Sequence, residues 1–390
     1  MYSRNLAIVA VAIVLLMASR AVSADPTFQT LTFLSVPGYS NPTGSATFSG
    51  TTVYIATAKG VLAFNTATNS VSAIPVANPT FLTANAVGNV YGVAGDFSIF
   101  QIAADTHSLS TVRAFSSTTI PGYLVADAVG NVYGQTGVSS ANATLFSLTT
   151  SGTFTTYPAA GVYAHPGFID GQGNVVGVNP AGGSAGVGAT FTLNPSTGSV
   201  TTVAQFNDTG VGGYYPTTVV ADSSGNQYGF ANINITNSGN TMVYKLPVGT
   251  TVPITQASAV GNFNTIPTGL ISDAVGDLFG VTRGGGTSGA GTIFEIPAGS
   301  STVTTLLSFS VAFQNPLYGV QPIGLFSDGS GNLYGVTEGQ GQSILGSVFE
   351  LSGTGFVVSA GTSAPEPASL GLLALGAAVL ALGIRRRRQA

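Results

Sequence analysis

An eight-residue phrase recurs through the middle of this 390-residue chain and sets a repeat length that few folds can satisfy. Five copies begin on Asp: Asp127-Ala-Val-Gly130-Asn131-Val-Tyr133-Gly134, Asp170-Gly-Gln-Gly173-Asn174-Val-Val176-Gly177, Asp222-Ser-Ser-Gly225-Asn226-Gln-Tyr228-Gly229, Asp273-Ala-Val-Gly276-Asp277-Leu-Phe279-Gly280 and Asp328-Gly-Ser-Gly331-Asn332-Leu-Tyr334-Gly335. An earlier copy starts with Asn85 and ends at Gly92, and a degenerate one, Gly50 to Tyr54, makes seven. Between the fourth-position glycines of the clear copies the spacings are 42, 43, 52, 51 and 55 residues. Repeats of this length are supersecondary units that bury their apolar faces only against one another.

Each unit carries four short β-rich runs. After the phrase comes a strand such as Thr144-Leu-Phe146-Ser-Leu148 or Thr292-Ile-Phe294-Glu-Ile296, then a Thr/Val-rich run such as Ser199–Val203. An apolar run such as Gly122–Ala126 precedes the Asp. Four strands per unit, separated by Gly, Asn and Ser, are the pattern of a propeller blade, so the fold is read as all-β with seven blades. A parallel β-solenoid is the alternative. Asp or Asn is placed to accept from a backbone N–H two residues on, and the following Gly supplies the positive φ of a tight hairpin. The Tyr or Phe after it is expected to fill the gap between blades. The final copy lacks an outer strand, and Phe28–Leu34 at the start of the mature chain resembles one. That segment is therefore expected to pair into the last blade and clasp the ring, with Phe356–Val358 as its competitor for the same edge.

Composition narrows the function. With no cysteine, disulfides, thiolate metal sites and thiol catalysis are excluded. Between the two termini, Lys59, Arg113, Lys245 and Arg283 face thirteen carboxylates, a net charge of about −9. Such a surface repels phosphate backbones, so nucleic acid is not an expected partner.

The termini carry addresses. Met1–Arg4 is a short basic region, Leu6–Met17 an apolar core and Val22-Ser23-Ala24 a cleavage site, which reads as a signal peptide over 1–24. The ring is assigned to 25–360 and a sorting tail to 361–390. In that tail Pro365-Glu366-Pro367 precedes an apolar run over 368–384 and then Arg385, Arg386, Arg387 and Arg388. Seventeen helical residues would span about 26 Å, enough for a bilayer core of about 30 Å. The arginines would stay on the cytoplasmic side and the ring outside. On physics alone the tail is also consistent with an ordinary membrane anchor.

Ala364-Pro365-Glu366-Pro367-Ala368-Ser369, followed by the apolar run and the arginines, resembles the PEP-CTERM sorting signal of Gram-negative bacteria. The resemblance implies an exosortase-type processing enzyme as partner, a transient stay in the inner membrane, and a final place at the cell surface or in the matrix. The repeat itself is similar to the tandem repeats called GloVer, most clearly at Asp277–Gly286 with Gly291–Ile296 and at Gly331–Thr337. Val176 departs from that pattern, and the GloVer resemblance implies no established activity.

Catalytic constellations are sparse. His107 and His165 have no acid at ligand spacing, no Ser lies in a Gly-x-Ser-x-Gly elbow, and neither a Ser-His-Asp triad nor a zinc site is expected. Gly182-Gly183, Gly212-Gly213 and Gly284-Gly285-Gly286 lack the helix and Lys of a phosphate cradle. The glycosylation-like tripeptides at Asn142, Asn207 and Asn234 are read as chance. Asp127, Asp170, Asp222, Asp273 and Asp328 share one repeat position and should lie around one face. They are read as hairpin caps, with Ca²⁺ as the alternative and Asp277 as a further oxygen donor. Asp273 and Asp277 could in principle serve as a carboxylate pair for glycosidic cleavage, and only their proximity in sequence marks them as a pair. No cofactor is expected. The chain is thus expected to be a non-enzymatic binding or structural module, with exopolysaccharide as a candidate ligand. The alternative is an extracellular lyase or glycoside hydrolase with its site at the channel mouth.

Overall fold

The computed structural model describes residues 26–37, 39, 42–137, 143–157, 163–207, 212–234, 237–258, 267–310, 319–339 and 346–358. The expected signal peptide (1–24), the Pro365–Pro367 triplet, the apolar run over 368–384 and Arg385–Arg388 lie outside these residues.

Alternating apolar runs and Gly/Asn/Asp turns produce twenty-eight strands and no helix among the described residues. The strands form seven four-stranded antiparallel sheets, the blades of a β-propeller. Blade 1 spans Pro42–Pro75, blade 2 Thr80–Arg113, blade 3 Pro121–Tyr157 and blade 4 His165–Gln205. Blade 5 spans Val220–Ser258, blade 6 Pro267–Ser308, and blade 7 Val320–Ser352. The outer strand of blade 7 is Thr27–Phe33, antiparallel to Ser347–Ser352 with Phe28 opposite Leu351 and Thr30 opposite Phe349. The N-terminal segment therefore takes the edge. Its rival, Phe356–Val358, is not in a strand: positive φ at Gly353 (71°) and Gly355 (76°) turns the chain off the sheet.

The core lies between blades. Tyr54 packs between blades 1 and 2, Tyr91 between 2 and 3, Tyr133 between 3 and 4, Tyr228 between 5 and 6, Phe279 between 6 and 7, and Tyr334 between 7 and 1. The third strand of each following blade supplies a second ring to the same gap: Phe100, Phe146, Phe191, Phe294, Phe349 and Phe64, all buried. Between blades 4 and 5 the aromatic of the phrase is replaced by Val176, and the first strand of blade 5 is only Val220–Ala221. There Phe206 of blade 4 meets Tyr244 of blade 5 edge to face at 5.0 Å.

This packing gives the last glycine of the phrase its reason. In six blades that glycine lies directly across the sheet from the third-strand aromatic, as Gly134 from Phe146 and Gly280 from Phe294. A Cβ at Gly280 would come within 2.4 Å of the Phe294 ring, and one at Gly134 within 2.8 Å of Phe146. Blade 1 has Ile55 in place of the glycine and Leu62 in place of the ring opposite. The two positions change together because only one of them has room to be large.

Candidate functional site on the turn face

In each of blades 2 to 7 the phrase forms the turn between the first and second strands, so its acids and amides come to one face of the ring. The turn between the third and fourth strands opens on the same face, and side chains of the phrase stitch the two together. In blade 3, Asp127 Oδ1 accepts from the backbone N–H of Val129, Gly130 and Asn131 at 3.1, 2.9 and 2.8 Å. Its Oδ2 accepts from Asn131 Nδ2 at 2.7 Å and Tyr133 Oη at 3.3 Å. Asn131 Oδ1 then accepts from Thr150 N in the outer turn at 3.1 Å. Burial, together with the Asp127 charge, pushes the Tyr133 phenol up to about 12, so it stays a donor at any physiological pH.

The same arrangement recurs. Asp170 accepts from Gln172 N, Asn174 N and Asn174 Nδ2. Asp222 accepts from Ser224 N, Asn226 N, Asn226 Nδ2 and Tyr228 Oη. Asp328 accepts from Ser330 N, Asn332 N and Asn332 Nδ2. In blade 2, Asn85 Oδ1 accepts from Asn89 N, and Asn89 Oδ1 from Ala104 N. These carboxylates accept from three to five donors each, with backbone N–H groups on Oδ1 and side-chain donors on Oδ2. Among the described residues no three His, Asp or Glu side chains converge as a metal cluster.

The amide four residues after the acid is the functional position that sequence reasoning passed over. It was visible as a repeated Asn, at 89, 131, 174, 226 and 332, but only the fold shows Asn89, Asn131 and Asn226 accepting from the outer turn of their blades.

Blade 6 departs from this pattern. Asp277 stands where the others have Asn, and Asp273 and Asp277 are both buried, at 3% and 6% exposure. Asp273 Oδ1 accepts from Val275 N and Asp277 N at 3.0 and 2.8 Å, and Asp277 Oδ1 accepts from Ala298 N at 2.7 Å. Asp273 Oδ2 instead accepts from Val357 N at 3.0 Å, a residue 84 positions later. The Val357 carbonyl in turn accepts from Ala274 N at 2.8 Å. Burial raises the Asp273 carboxyl above its ordinary value, with the Asp277 charge adding to the effect. The adjacent Phe356 ring lies 5.4 Å from Phe279.

A recess of about 390 Å³ lies on this face between the turns of blades 3 and 4, beside Asp127 and Asp170, and two others flank it around the ring. The larger, about 1070 Å³, sits where blade 1 has only a short Gly50-Thr51 turn in place of the Asp loop. Phe48, Asn65, Asn85 and His107 contribute to its wall, with Asp328 at its rim. His107 packs edge to face on Tyr54 at 5.9 Å. The second, about 360 Å³, lies between the turns of blades 5, 6 and 7 and is walled on one side by Phe356–Val358. His165 belongs to none of them: it stacks on Tyr123 at 3.7 Å, and burial lowers its pKa to about 4, so it is neutral. Away from the turns, Arg283 of blade 6 pairs with Glu338 of blade 7 and donates through Nε to Gln321 at 3.4 Å. Burial raises the Glu338 carboxyl although Arg283 pulls the other way.

A family model described as a PEP-CTERM protein-sorting motif matches residues 363–388. No curated protein sequence matches the chain. Among solved structures, a streptogramin B lyase superposes with a TM-score of 0.61 at 12% identity, covering 84% of this chain and 97% of that one. An oligogalacturonate lyase from Vibrio parahaemolyticus gives a TM-score of 0.58 at 10% identity, over 84% and 97% of the two chains. The WD40 repeats of RRP9 give 0.56 at 11%, again over 84% and 97%. At such identities the likeness is one of fold, and it extends to lyases and to a WD40 repeat domain alike.

Proposed function

We propose that this chain is an exported propeller that acts as a binding or structural module at the surface or in the matrix of a Gram-negative cell. The sorting motif at 363–388 implies export and a membrane-anchored precursor. Pro365-Glu366-Pro367 is the element an exosortase-type enzyme would recognise, and Arg385–Arg388 would hold the precursor's cytoplasmic end. The GloVer-like character of the last two repeats agrees with an exported, tandem-repeat ring.

The observation that carries the binding reading is the state of the turn-face acids. A catalytic carboxylate needs a free oxygen near the substrate, whereas Asp127 and Asp222 spend both oxygens on their own hairpins. What the face offers instead is a large recess with hydroxyl and amide groups at Thr51, Asn65 and Asn85. Neutral hydrogen-bonding groups of this kind suit an uncharged polysaccharide. Replacing Pro365, Glu366 and Pro367 with alanines tests the sorting half. The account expects the precursor to accumulate at full length in the membrane, read by its mass; unchanged processing and delivery would reduce the tail to a plain anchor.

A further inference from the structure

The tail begins where the ring ends, and the ring holds it there. After Ser352 the chain crosses the turn face instead of continuing along the sheet. Thr354 is buried at 3% exposure, its Oγ1 accepts from Phe356 N at 3.2 Å, and Phe356 packs against the core between blades 6 and 7. Val357 is gripped at both its polar atoms by blade 6, as described above. The grip depends on the substitution that sets blade 6 apart. In blades 3, 4, 5 and 7 the Asn amide occupies the outer carboxylate oxygen. In blade 6 the amide is replaced by Asp277, and the Asp273 oxygen takes the backbone of Val357.

We propose that Asp273 is a latch that fastens the root of the sorting tail to the turn face, so that this face is the one the precursor presents to the membrane and to its processing enzyme. The inference rests on the sorting reading of Pro365–Pro367. From Val357 to Pro365 there are eight chain steps, a reach of at most about 29 Å at roughly 3.6 Å per residue. A ring latched at Val357 therefore holds its turn face within that distance of the sorting triplet. The opposite face, with Arg283 and Glu338, is turned away.

Two measurements test this. The first is amide hydrogen exchange at Val357 in the full-length protein with Asp273→Asn. Asn85 builds the same turn in blade 2, so the hairpin should survive, while the outer oxygen becomes an NH2 that cannot accept. The expectation is roughly tenfold faster exchange at Val357 with the strand amides of blade 6 unchanged. Exchange at the wild-type rate would overturn the latch. The second uses the absence of cysteine. A single Cys is introduced at exposed Val129 on the turn face or at exposed Ser184 away from it, and dye-labelled precursor in vesicles is read by energy transfer to an acceptor lipid. Stronger transfer from position 129 is expected, and equal or reversed transfer would overturn the orientation. If instead the triplet is not a processing signal, its alanine variant is processed normally while Val357 exchange is unaffected. The two failures are therefore distinct.

Discussion

Blades 3 and 6 carry the same turn with the acid's two side-chain donors changed, and the change redirects one oxygen of the carboxylate. In blade 3, Asp127 is closed on its own loop by Asn131 and Tyr133. In blade 6 the partners at those positions are Asp277 and Phe279, neither of which donates a side-chain hydrogen bond to the outer oxygen of Asp273 when Asp277 is ionised. That oxygen is filled from outside the repeat by Val357. A tandem repeat thus supplies its own control: where every copy satisfies itself, the residues are scaffold, and the copy that does not is where the ring meets something else.

The largest expected effect falls on what the two blades share. Gly134→Ala and Gly280→Ala each drive a methyl into the ring across the sheet, at 2.8 and 2.4 Å. Each should cost about 2–3 kcal/mol in urea unfolding, with the second the worse of the two. Equal tolerance at both sites would mean that the aromatic ladder does not set the blade geometry.

Next comes Asp127→Ala, which leaves three backbone N–H groups, an amide and a phenol without their acceptor. A loss of about 2 kcal/mol is expected, measured in the same way. Asp277→Asn goes in the opposite direction. It restores the amide of blade 3 beside Asp273 and removes a like charge, so stability should rise by about 0.5 kcal/mol.

The smallest effect is on pH. Asp273, Glu338 and Glu350 all have carboxyls raised by burial, so at these three sites the folded ring binds protons more readily than the unfolded chain. These three carboxyls favour the ring as pH falls from neutral through their raised values, fully so below the ordinary carboxylate range near 4. His165, held neutral by burial down to about 4, opposes them because the unfolded chain takes up that proton near 6.5. In a His165→Gln background, which removes the opposing imidazole, a melting temperature about 1 °C higher at mildly acid pH than at neutral pH is expected, and Asp277→Asn should flatten the rise. A fall over that window would contradict the sign.

Much of this architecture was legible because the repeat is physical. Seven phrases match seven blades since every phrase but the one with Val176 is a turn plus an inter-blade aromatic, and the orphan run at Phe28 matched the strand that the last copy lacked. The fate of Phe356–Val358 was not legible. As a sequence it is a short apolar run competing for an edge, and its course depends on Gly353 and Gly355 turning it toward a carboxylate 84 residues earlier. The role of Asn131 and its equivalents was hidden for a similar reason: their partners, such as Thr150, lie in a turn two strands away. The degenerate first copy showed only as a weak match, yet its missing loop is what opens the 1070 Å³ recess.

The claim that blade 6 alone is open to the tail is tested most directly by chymotrypsin cleavage after Phe356 in two matched variants, Asp273→Asn and Asp127→Asn. Both replace a turn acid by the amide found at Asn85. The account predicts rapid release of the tail from the Asp273 variant and the wild-type rate from the Asp127 variant. Equal rates from the two, whether fast or slow, would contradict it.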